Sequence, residues 1–451
     1  MKNNRNDRFD ELSTLLDNQK IGALREALSQ LNGVDAAGVL ERLSPEQAAL
    51  AFRTLPKELA AEAFANLPPE AQQVIVTALT DRELAAVVSE LYVDDVVDML
   101  EEMPASAVKR VLKNTRPETR GLINQFLRYP DNSVGSIMTA EFIDLKREMT
   151  VSEAIRHIRD VGEKRELIYT CYVVDDQRKL EGVVTLKELL LSPDSRTVGE
   201  LMEAGVISAL TTDDREEAAR RLQRYDFLAL PVTDREGRLV GIVTVDDVMD
   251  VMEAEATEDF ERMAAMAPSE KPYLKTGAFT LARKRILWLL VLMISGMITG
   301  GILGRYEAAF AALPMLVTFI PMLTDTGGNA GSQSSTLIIR GMAVGEIRAR
   351  DLPRVLWKEL RVSLIVGVAL SAVNYARLLL TYPGQAGMAL TVALSMLATV
   401  VMAKTIGGML PILAKALHAD PAIMAAPLIT TIVDALSLLI YFSLAQMLLG
   451  I

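Results

Sequence analysis

The side chains in this sequence that suit metal binding are carboxylates, and they occur in clusters. Asp94, Asp95 and Asp98 form the first cluster, in which Asp94 and Asp98 share a helix face at i,i+4. Two larger clusters follow: Asp213, Asp214, Glu216, Glu217 and Asp226, then Asp246, Asp247, Asp250, Glu253, Glu255, Glu258, Asp259 and Glu261. Oxygen-only groups suit hard divalent cations, and Mg²⁺ tolerates loosely organised carboxylates because it retains several bound waters. The alternative for each cluster is a solvated acidic face, as charge runs commonly are.

The third cluster contains no basic residue, so the helix that carries it repels itself. Two carboxylates about 6 Å apart repel by roughly 3 kcal/mol at an effective dielectric constant near 20, before salt screening. We therefore expect a cation to neutralise these side chains, or the side chains to move apart when that cation is absent.

Polar side chains also interrupt the apolar C-terminal part, where burial in a bilayer is costly and makes them candidates for function. They are Asp325, Asn329, Gln333, Lys404 and Asp434. Asp434 lies about two turns into an apolar segment, and Thr430 and Thr431 lie one turn before it. A carboxylate at that depth concentrates cations in a polar pore. The alternative is a structural role, such as pairing with Lys404.

The charge of the chain is unevenly divided, although its 451 residues carry a net charge of −11. Residues 1–270 contain 32 Lys and Arg against 51 Asp and Glu, whereas residues 271–451 contain 15 against 7. The first part suits water and the second suits a lipid bilayer, which excludes a single soluble globule. The acidic part would repel phosphates, which argues against nucleic-acid binding. One cysteine and two histidines favour neither a disulfide nor an imidazole zinc site.

Five apolar segments have the length of a membrane span: 286–304, 308–339, 362–380, 387–414 and 423–449. Ten Lys or Arg lie at the ends expected in the cytoplasm, against Arg305 and Arg377 outside. The polar start of the chain has no apolar segment typical of a signal peptide. We expect a multi-pass protein of the cell (inner) membrane, with a cytoplasmic N-terminus and an external C-terminus.

The N-terminal part repeats with a period of twelve from Leu43 to Thr115, as in Leu43-Ser-Pro-Glu, Leu55-Pro-Lys-Glu and Leu67-Pro-Pro-Glu. Pro favours the first position of a helix, so each unit predicts a capped helix of two to three turns. Such helices are too short to be stable alone. We therefore expect them to stack into an α-helical solenoid over residues 1–131.

A second repeat follows, in which Leu180-Glu-Gly-Val-Val-Thr is matched by Leu239-Val-Gly-Ile-Val-Thr. Each copy predicts an apolar strand, a Thr and a helix. The order resembles a tandem pair of α/β CBS domains, over residues 132–249. The resemblance implies an adenine nucleotide such as ATP at Thr244 and Asp247, with Thr185 and Glu188 as a degenerate copy; a structural Thr is the alternative. There is no Gly-Lys dipeptide and hence no Walker A loop, so we expect no enzyme.

Two membrane motifs resemble those of a known family. The segment from Pro321 to Gly341, with Gly-Gly-Asn-Ala-Gly-Ser-Gln at 327–333, resembles the second-span signature of MgtE magnesium channels. Asp420-Pro-Ala and the later Pro-Leu-Ile-Thr-Thr-Ile-Val-Asp resemble their fifth span. The resemblance implies a homodimer in the bilayer, with a helical N domain, a CBS pair, an acidic connecting or plug helix (250–270) and an all-α domain of five spans (271–451).

By motif, this resemblance makes Asp434 the pore acid for hydrated Mg²⁺, with Asn329, Gln333, Thr430 and Thr431 lining the pore. It implies these Mg²⁺-sensing carboxylates: Asp94, Asp98, Asp214, Glu216, Asp226, Asp247, Asp250, Glu255, Glu258 and Asp259. Two positions depart from the family pattern. Asp325 replaces an uncharged residue and implies a second cation site or a proton-linked group, and Ala425-Ala426 replaces Ser-Gly and implies altered packing at the pore mouth.

These expectations combine into a Mg²⁺-selective, Mg²⁺-gated channel for magnesium uptake, closed when cytosolic Mg²⁺ binds the acidic clusters. The first alternative is a secondary transporter of divalent cations, coupled to H⁺ or Na⁺ through Asp325 or Lys404. The second alternative is a membrane-anchored nucleotide receptor that functions through Thr244 and Asp247.

Overall fold

The structure is a computed structural model that describes residues 12–18, 20–269, 273–274, 276–306, 313–424 and 426–450. The chain divides into two compact units, Met1–Met252 and Glu253–Ile451. The polar start of the chain, the first residues of the expected second span and Ala425 lie outside the described residues.

Short helices fill the N-terminal part of the first unit. Residues 12–17 are helical. They are followed by α1 (Ile21–Leu28), α2 (Gly33–Leu40), α3 (Pro45–Thr54), α4 (Lys57–Ala65), α5 (Pro69–Ala78), α6 (Asp81–Val88), α7 (Val93–Glu101), α8 (Ala105–Asn114) and α9 (Pro117–Phe126). From α3 onward each helix begins twelve residues after the previous one, in agreement with the period of the sequence.

Tertiary packing and caps compensate for the shortness of these helices. The repeat leucines Leu55, Leu67 and Leu79 are buried. Several helices pack against the second helix after them, as α2 does against α4 and α7 against α9. Ser44 and Thr80 form capping boxes at the starts of α3 and α6. The stacking of all these helices into a solenoid stays a prediction.

Two small sheets follow, built from the two copies of the second repeat. The elements are β1 (Ile143–Leu145), α10 (Val151–Val161), β2 (Thr170–Val174), β3 (Leu180–Thr185), α11 (Leu186–Leu191), α12 (Val198–Leu201), β4 (Glu203–Ala204), β5 (Ala209–Leu210), α13 (Arg215–Tyr225), β6 (Ala229–Thr233) and β7 (Leu239–Thr244). The sheet orders are β1-β2-β3-β4 and β5-β6-β7. Strands β1 and β2 are parallel, as are β5 and β6, whereas the other pairs are antiparallel. Strands β3 and β7 each end at a Thr that leads into a helix, which confirms the predicted order.

Long helices form the second unit. Helix α14 (Val245–Met263) starts after β7 in the first unit and ends in the second. It is followed by α15 (Ala278–Arg305), α16 (Ile320–Ala343), α17 (Leu352–Thr381), α18 (Ala386–Ala416) and α19 (Ala426–Leu449). Short 3-10 segments at Pro314–Phe319 and Pro421–Met424 precede α16 and α19.

Four segments of the described chain are long and apolar enough to cross a membrane: Ala278–Arg305, Ala349–Thr381, Ala386–Ala416 and Pro421–Leu449. The remaining expected span, 308–339 and the second in chain order, corresponds to α16, which begins at Ile320. Its 24 residues are enough to span a bilayer, but its polar side chains and glycines make it less apolar. The count of five spans therefore stays a proposal.

Glycines bring α16 close to its neighbours. A Cβ atom on Gly407 of α18 would lie 2.2 Å from the carbonyl oxygen of Gly331, so only glycine permits this approach of the two backbones. A Cβ on Gly327 would lie 2.8 Å from Cγ1 of Val433 in α19. Small residues commonly allow such contacts between membrane helices. As a result, α16 lies directly against α18 and α19.

Candidate metal site

Helix α7 presents the first acidic cluster. Its buried apolar residues are Val93, Val96, Val97, Met99 and Leu100. Because Asp94, Asp95 and Asp98 alternate with these residues at helical spacing, the carboxylates project from the other side of α7.

The segment that contains Thr139 and Glu141 is fixed to strand β7. Thr139 and Ile242 exchange backbone hydrogen bonds of 2.8 and 2.9 Å. Gly241 permits this approach, since a Cβ atom there would lie 2.7 Å from the Thr139 carbonyl oxygen. The backbone N–H of Glu166 donates to the Glu141 carbonyl oxygen at 3.0 Å. These bonds bring Glu141 and Glu166 next to the first turn of α14.

Three carboxylates from separate parts of the chain form a group, here called the carboxylate triad: Asp94, Glu166 and Asp247. Each contributes an oxygen, and these oxygens lie within 4.8 Å of one another. The hydroxyl of Thr139 lies 2.9 Å from Oε2 of Glu141 and 3.4 Å from Oδ1 of Asp94. Oε2 of Glu166 is buried and has no hydrogen-bond partner among the described residues. A hard cation would complete this oxygen-lined group.

Burial is the largest cause of raised pKa values in this region, and neighbouring carboxylates add to it. The pKa of Asp94 is raised to about 9 and that of Asp95 to about 6. Those of Asp98 and Glu166 are each raised to about 7, and that of Asp247 is also raised. Burial penalises the ionised form of a carboxyl group, so these acids are either protonated or offset by a cation.

The sequence predicted part of this group and missed the rest. The acidic clusters identify Asp94 and Asp247 of the triad, together with Asp98 of α7, as candidate metal ligands, but they do not identify Glu166, Glu141 or Thr139. Glu166 follows Lys164 and Arg165 in the sequence, so no local charge pattern marks it. Only the tertiary contact of α7 with the repeated module places it beside Asp94.

The second cluster lies around α13, and its members have other partners. Asp214 caps the helix by accepting a hydrogen bond from the Glu216 N–H at 2.8 Å. Glu216 forms an ion pair with Arg220. Asp226 ends the helix in a left-handed conformation with φ of 53°. Within the described ranges Asp214, Glu216 and Asp226 form no candidate metal group, so their role in sensing stays a prediction.

The third cluster continues along α14, the helix that also carries Asp250, Glu255 and Asp259. Near its end, Arg262 forms ion pairs with Glu258 and with Asp420, which lies just before the segment leading into α19. The other Asp420 oxygen accepts a hydrogen bond from the Ala422 N–H at 2.8 Å. The cluster itself contains no basic residue, as the sequence indicates, but the next residue supplies a cationic partner.

In the second unit, α16 carries a row of polar side chains that we call the polar stripe: Asp325, Asn329 and Gln333. Their spacing of four residues places them on one helix face, and all three are exposed in the single chain. Nδ2 of Asn329 donates to Oδ1 of Asp325 at 3.1 Å. The stripe therefore presents a carboxylate and two carboxamides along one side of α16.

Asp434 lies on the adjacent helix α19 and is half-buried. The hydroxyls of Thr430 and Thr431 each donate to the Pro427 carbonyl oxygen at 2.9 Å, so their own helix satisfies them. Asp434 has no hydrogen-bond or ion-pair partner in the part of the chain that the structure describes. Lys404, the alternative partner, instead donates to Oγ of Ser334 at 3.4 Å. Asp434 is thus available to a mobile cation.

Three family models match the chain, in the order of the described elements. The model of the MgtE intracellular N domain matches residues 31–132, and CBS domains match residues 134–193 and 198–254. The MgtE model, described as a divalent cation transporter, matches residues 320–444.

Known proteins are similar over most of the chain. The magnesium transporter MgtE of Thermus thermophilus is 39% identical over 360 residues, which cover 79% of each chain. That of Bacillus subtilis is 32% identical over 441 residues and 97% of each chain. A solved structure described as the cytosolic domain of the Mg²⁺ channel MgtE in complex with ATP is 36% identical, with a TM-score of 0.52, over 54% of this chain and 99% of that one.

Buried carboxylates in the first unit and membrane helices with an unpaired acid in the second define a membrane transporter of divalent cations. The matched models and relatives specify which one: the chain belongs to the MgtE family of magnesium transporters. The predicted family, N domain and CBS pair are thereby confirmed. The matched model and these relatives are described as transporters.

Proposed function

We propose that the chain forms a homodimeric, Mg²⁺-selective and Mg²⁺-gated channel for magnesium uptake. In this proposal α16 is the second of five spans, residues 1–270 are cytoplasmic and the C-terminus is external. The polar stripe, Thr430, Thr431 and the two copies of Asp434 line the pore and hold hydrated Mg²⁺. The membrane potential drives uptake, at about 2.3 kcal/mol per charge per 100 mV and so roughly twice that for Mg²⁺.

The observation that carries gating is the carboxylate triad. Two ionised carboxylates about 5 Å apart repel by roughly 3 kcal/mol at an effective dielectric constant near 20. Three such pairs oppose the packing of α7 against the CBS pair unless protons or a divalent cation offset them. A cation that binds the packed arrangement more tightly than the separated one shifts the equilibrium towards packing. Cytosolic Mg²⁺ is that cation in our proposal.

Helix α14 transmits the state of the triad to the pore. Asp247 lies in its first turn, and Arg262 in its last turn pairs with Asp420 ahead of α19, the helix of Asp434. We propose that this continuous helix couples the triad to the segment that enters the pore helix. The carboxylates between these ends, Asp250, Glu255, Glu258 and Asp259, add further Mg²⁺ ligands, as do Asp98, Asp214, Glu216 and Asp226.

Patch recordings from reconstituted bilayers test this function most directly. With low Mg²⁺ on the cytoplasmic side we expect single-channel currents, and with about 10 mM we expect closure, because binding favours the packed state. A coupled transporter that uses Asp325 or Lys404 would move Mg²⁺ without unitary currents and would depend on an H⁺ or Na⁺ gradient. That result would favour a coupled secondary transporter over a channel.

The raised pKa values predict that low pH stabilises the packed arrangement of the first unit in the absence of Mg²⁺. An acid whose pKa is raised by packing stabilises the packed state at low pH, and this stabilisation is lost as pH rises through the raised pKa values. Without Mg²⁺, proteolysis of the full-length protein should therefore be slow at pH 5 and faster at pH 8, because the raised values lie between about 6 and 9.

Addition of Mg²⁺ should slow this cleavage at pH 8 to the rate observed at pH 5. Protease activity on an unfolded substrate at each pH supplies the control. A cleavage rate that is independent of pH and of Mg²⁺ would show that the triad does not hold the unit together.

A second proposal is that the CBS pair binds an adenine nucleotide that tunes the gate. The related cytosolic domain was solved in complex with ATP. In this chain the Thr244 hydroxyl donates to Asp247 at 2.5 Å, and Thr185 donates to Glu188 at 2.7 Å, so each pair caps a helix. Asp247 also belongs to the triad, which provides a physical link between a nucleotide and Mg²⁺.

If a nucleotide stabilises the packed CBS pair, ATP should lower the Mg²⁺ concentration needed for protection from proteolysis by at least about twofold, since coupling of two ligands is reciprocal. The titration uses free Mg²⁺ held constant by buffering, with GTP as the control nucleotide. An unchanged midpoint would leave Thr244 with its capping role alone.

A further inference from the structure

A buried charged network that does not include Asp434 joins three membrane helices. The Lys404 ammonium of α18 donates to Oγ of Ser334 in α16 at 3.4 Å, and that hydroxyl donates to Oε2 of Glu359 in α17 at 2.6 Å. Glu359, Ser334 and Lys404 are 8%, 1% and 5% exposed. We call this set the Lys404–Ser334–Glu359 network. In the described ranges, no direct ion pair joins Lys404 to a carboxylate, so the serine relays the contact.

The packing around this network is built to accept the carboxylate. A Cβ atom on Gly408 would lie 3.0 Å from Cγ of Glu359, so glycine leaves the space that the Glu359 side chain occupies. Charged residues inside membrane domains are costly unless they are paired. A Lys and a Glu connected by a hydroxyl have no net charge together, so the network adds no net charge near the pore.

The network contacts α16 on a different face from the polar stripe. At 3.6 residues per turn, Ser334 is rotated by about 180° from Asp325, about 140° from Asn329 and about 100° from Gln333. Ser334 is buried against α17 and α18, whereas the stripe residues are exposed. Whatever fixes Ser334 therefore fixes the direction in which the stripe points.

We propose that the Lys404–Ser334–Glu359 network is a positioning device that sets the rotation of α16 and thereby makes these three residues determinants of cation selectivity. This inference rests on the proposed pore, in which the stripe faces the ion. A rotation of α16 by about 20° moves an atom at the helix surface, some 5–6 Å from the axis, by about 2 Å. A displacement of that size changes the space that the stripe leaves for a hydrated cation.

The two charges lie at similar depth to Asp434. Ser334 and Lys404 are nine and twelve residues before the ends of α16 and α18, and Glu359 and Asp434 are seven and eight residues after the starts of α17 and α19. At 1.5 Å per residue these positions are about 10–18 Å from the same end of the bundle. Removal of Glu359 alone leaves the Lys404 ammonium uncompensated at that depth, and this positive charge repels Mg²⁺. Removal of Lys404 alone leaves the Glu359 carboxylate uncompensated.

The first test measures Mg²⁺ and K⁺ flux into liposomes that contain the full-length protein, which reports on selectivity whether or not transport is through a channel. Glu359→Gln and Ser334→Ala should each reduce the ratio of Mg²⁺ to K⁺ flux by about tenfold. The exchange of charges in Glu359→Lys with Lys404→Glu should restore it to within about threefold of the original. Retention of the elution volume in detergent checks that each variant folds.

Ser363→Ala is the matched control for Ser334→Ala. Ser363 is also a buried serine, but its hydroxyl donates at 2.8 Å to the Leu360 carbonyl oxygen in its own helix. This control should keep the original flux ratio. Folded Glu359→Gln and Ser334→Ala variants with the original ratio would overturn the proposal, as would an exchanged pair that is no better than the single variants.

A second test observes the rotation of α16 without any transport. Cys171 is the single cysteine, so Cys171→Ala provides a background in which Gln333→Cys can be labelled by a water-soluble thiol reagent. Glu359→Gln should change the labelling rate by at least about threefold, because the side chain is re-aimed, whereas Ser363→Ala should not. An unchanged rate would refute the positioning role even if the protein proves not to be a channel, while absence of Mg²⁺ flux in the original chain would refute only the proposed function.

Discussion

Asp434→Ala is expected to abolish Mg²⁺ uptake. A Mg²⁺ ion about 5 Å from one carboxylate is attracted by roughly 6–7 kcal/mol at an effective dielectric constant near 20. If only a third of this attraction survives hydration and screening, its loss still lowers occupancy by about 40-fold, at about 1.4 kcal/mol per tenfold. A homodimer loses two such carboxylates at once. The measurement is Mg²⁺ entry into liposomes that contain a Mg²⁺-sensitive dye.

Two further substitutions at this position separate charge from size. Asp434→Asn keeps the volume and removes the charge, so it should be as inactive as Asp434→Ala. Asp434→Glu keeps the charge and lengthens the side chain, so it should retain part of the flux. Undiminished flux through Asp434→Asn would remove this carboxylate from the ion path.

Local patterns in the sequence predicted most of the elements. The period of twelve places Pro45 and Pro69 at the first position of their helices, because proline fixes φ and needs no hydrogen-bond donor there. The two Gly-x-Val-Thr copies predicted β3 and β7, since apolar runs that end at a capping Thr are typical of a strand followed by a helix. Such signals lie within one element, and reading them requires no knowledge of tertiary contacts.

The parts that the sequence did not predict depend on contacts between distant residues. Glu166 is 72 positions from Asp94, and only the docking of α7 brings them together. The same is true of Ser334, Glu359 and Lys404, of which only Lys404 is an obvious oddity in an apolar segment. Hydropathy also placed the start of this span before that of α16, because Pro314–Phe319 is largely apolar but forms a 3-10 segment rather than part of the helix.

Neutralisation of the carboxylate triad is expected to remove the response to Mg²⁺. In a variant with Asp94→Asn, Glu166→Gln and Asp247→Asn, the cation loses its ligands and the packed arrangement loses its largest repulsion. The triad then gives Mg²⁺ no preference for the packed state, and a ligand that binds two states equally shifts nothing. We expect proteolysis and open probability to vary by less than about twofold between zero and 10 mM Mg²⁺, against a change of at least about tenfold in the original chain.

A control with the same change in net charge distinguishes the triad from a general effect of charge. Glu200, Glu217 and Glu236 lie in the same CBS pair and each forms an ion pair with an arginine. Exposed pairs of this kind contribute little, typically below about 1 kcal/mol, so their replacement by Gln should leave the Mg²⁺ midpoint within about twofold of the original. If the triad variant closes at the same Mg²⁺ concentration as the original chain, repulsion among the buried carboxylates at α7 does not control closure. The carboxylates further along α14 would then have to supply the whole differential affinity, although Arg262 already offsets part of their charge.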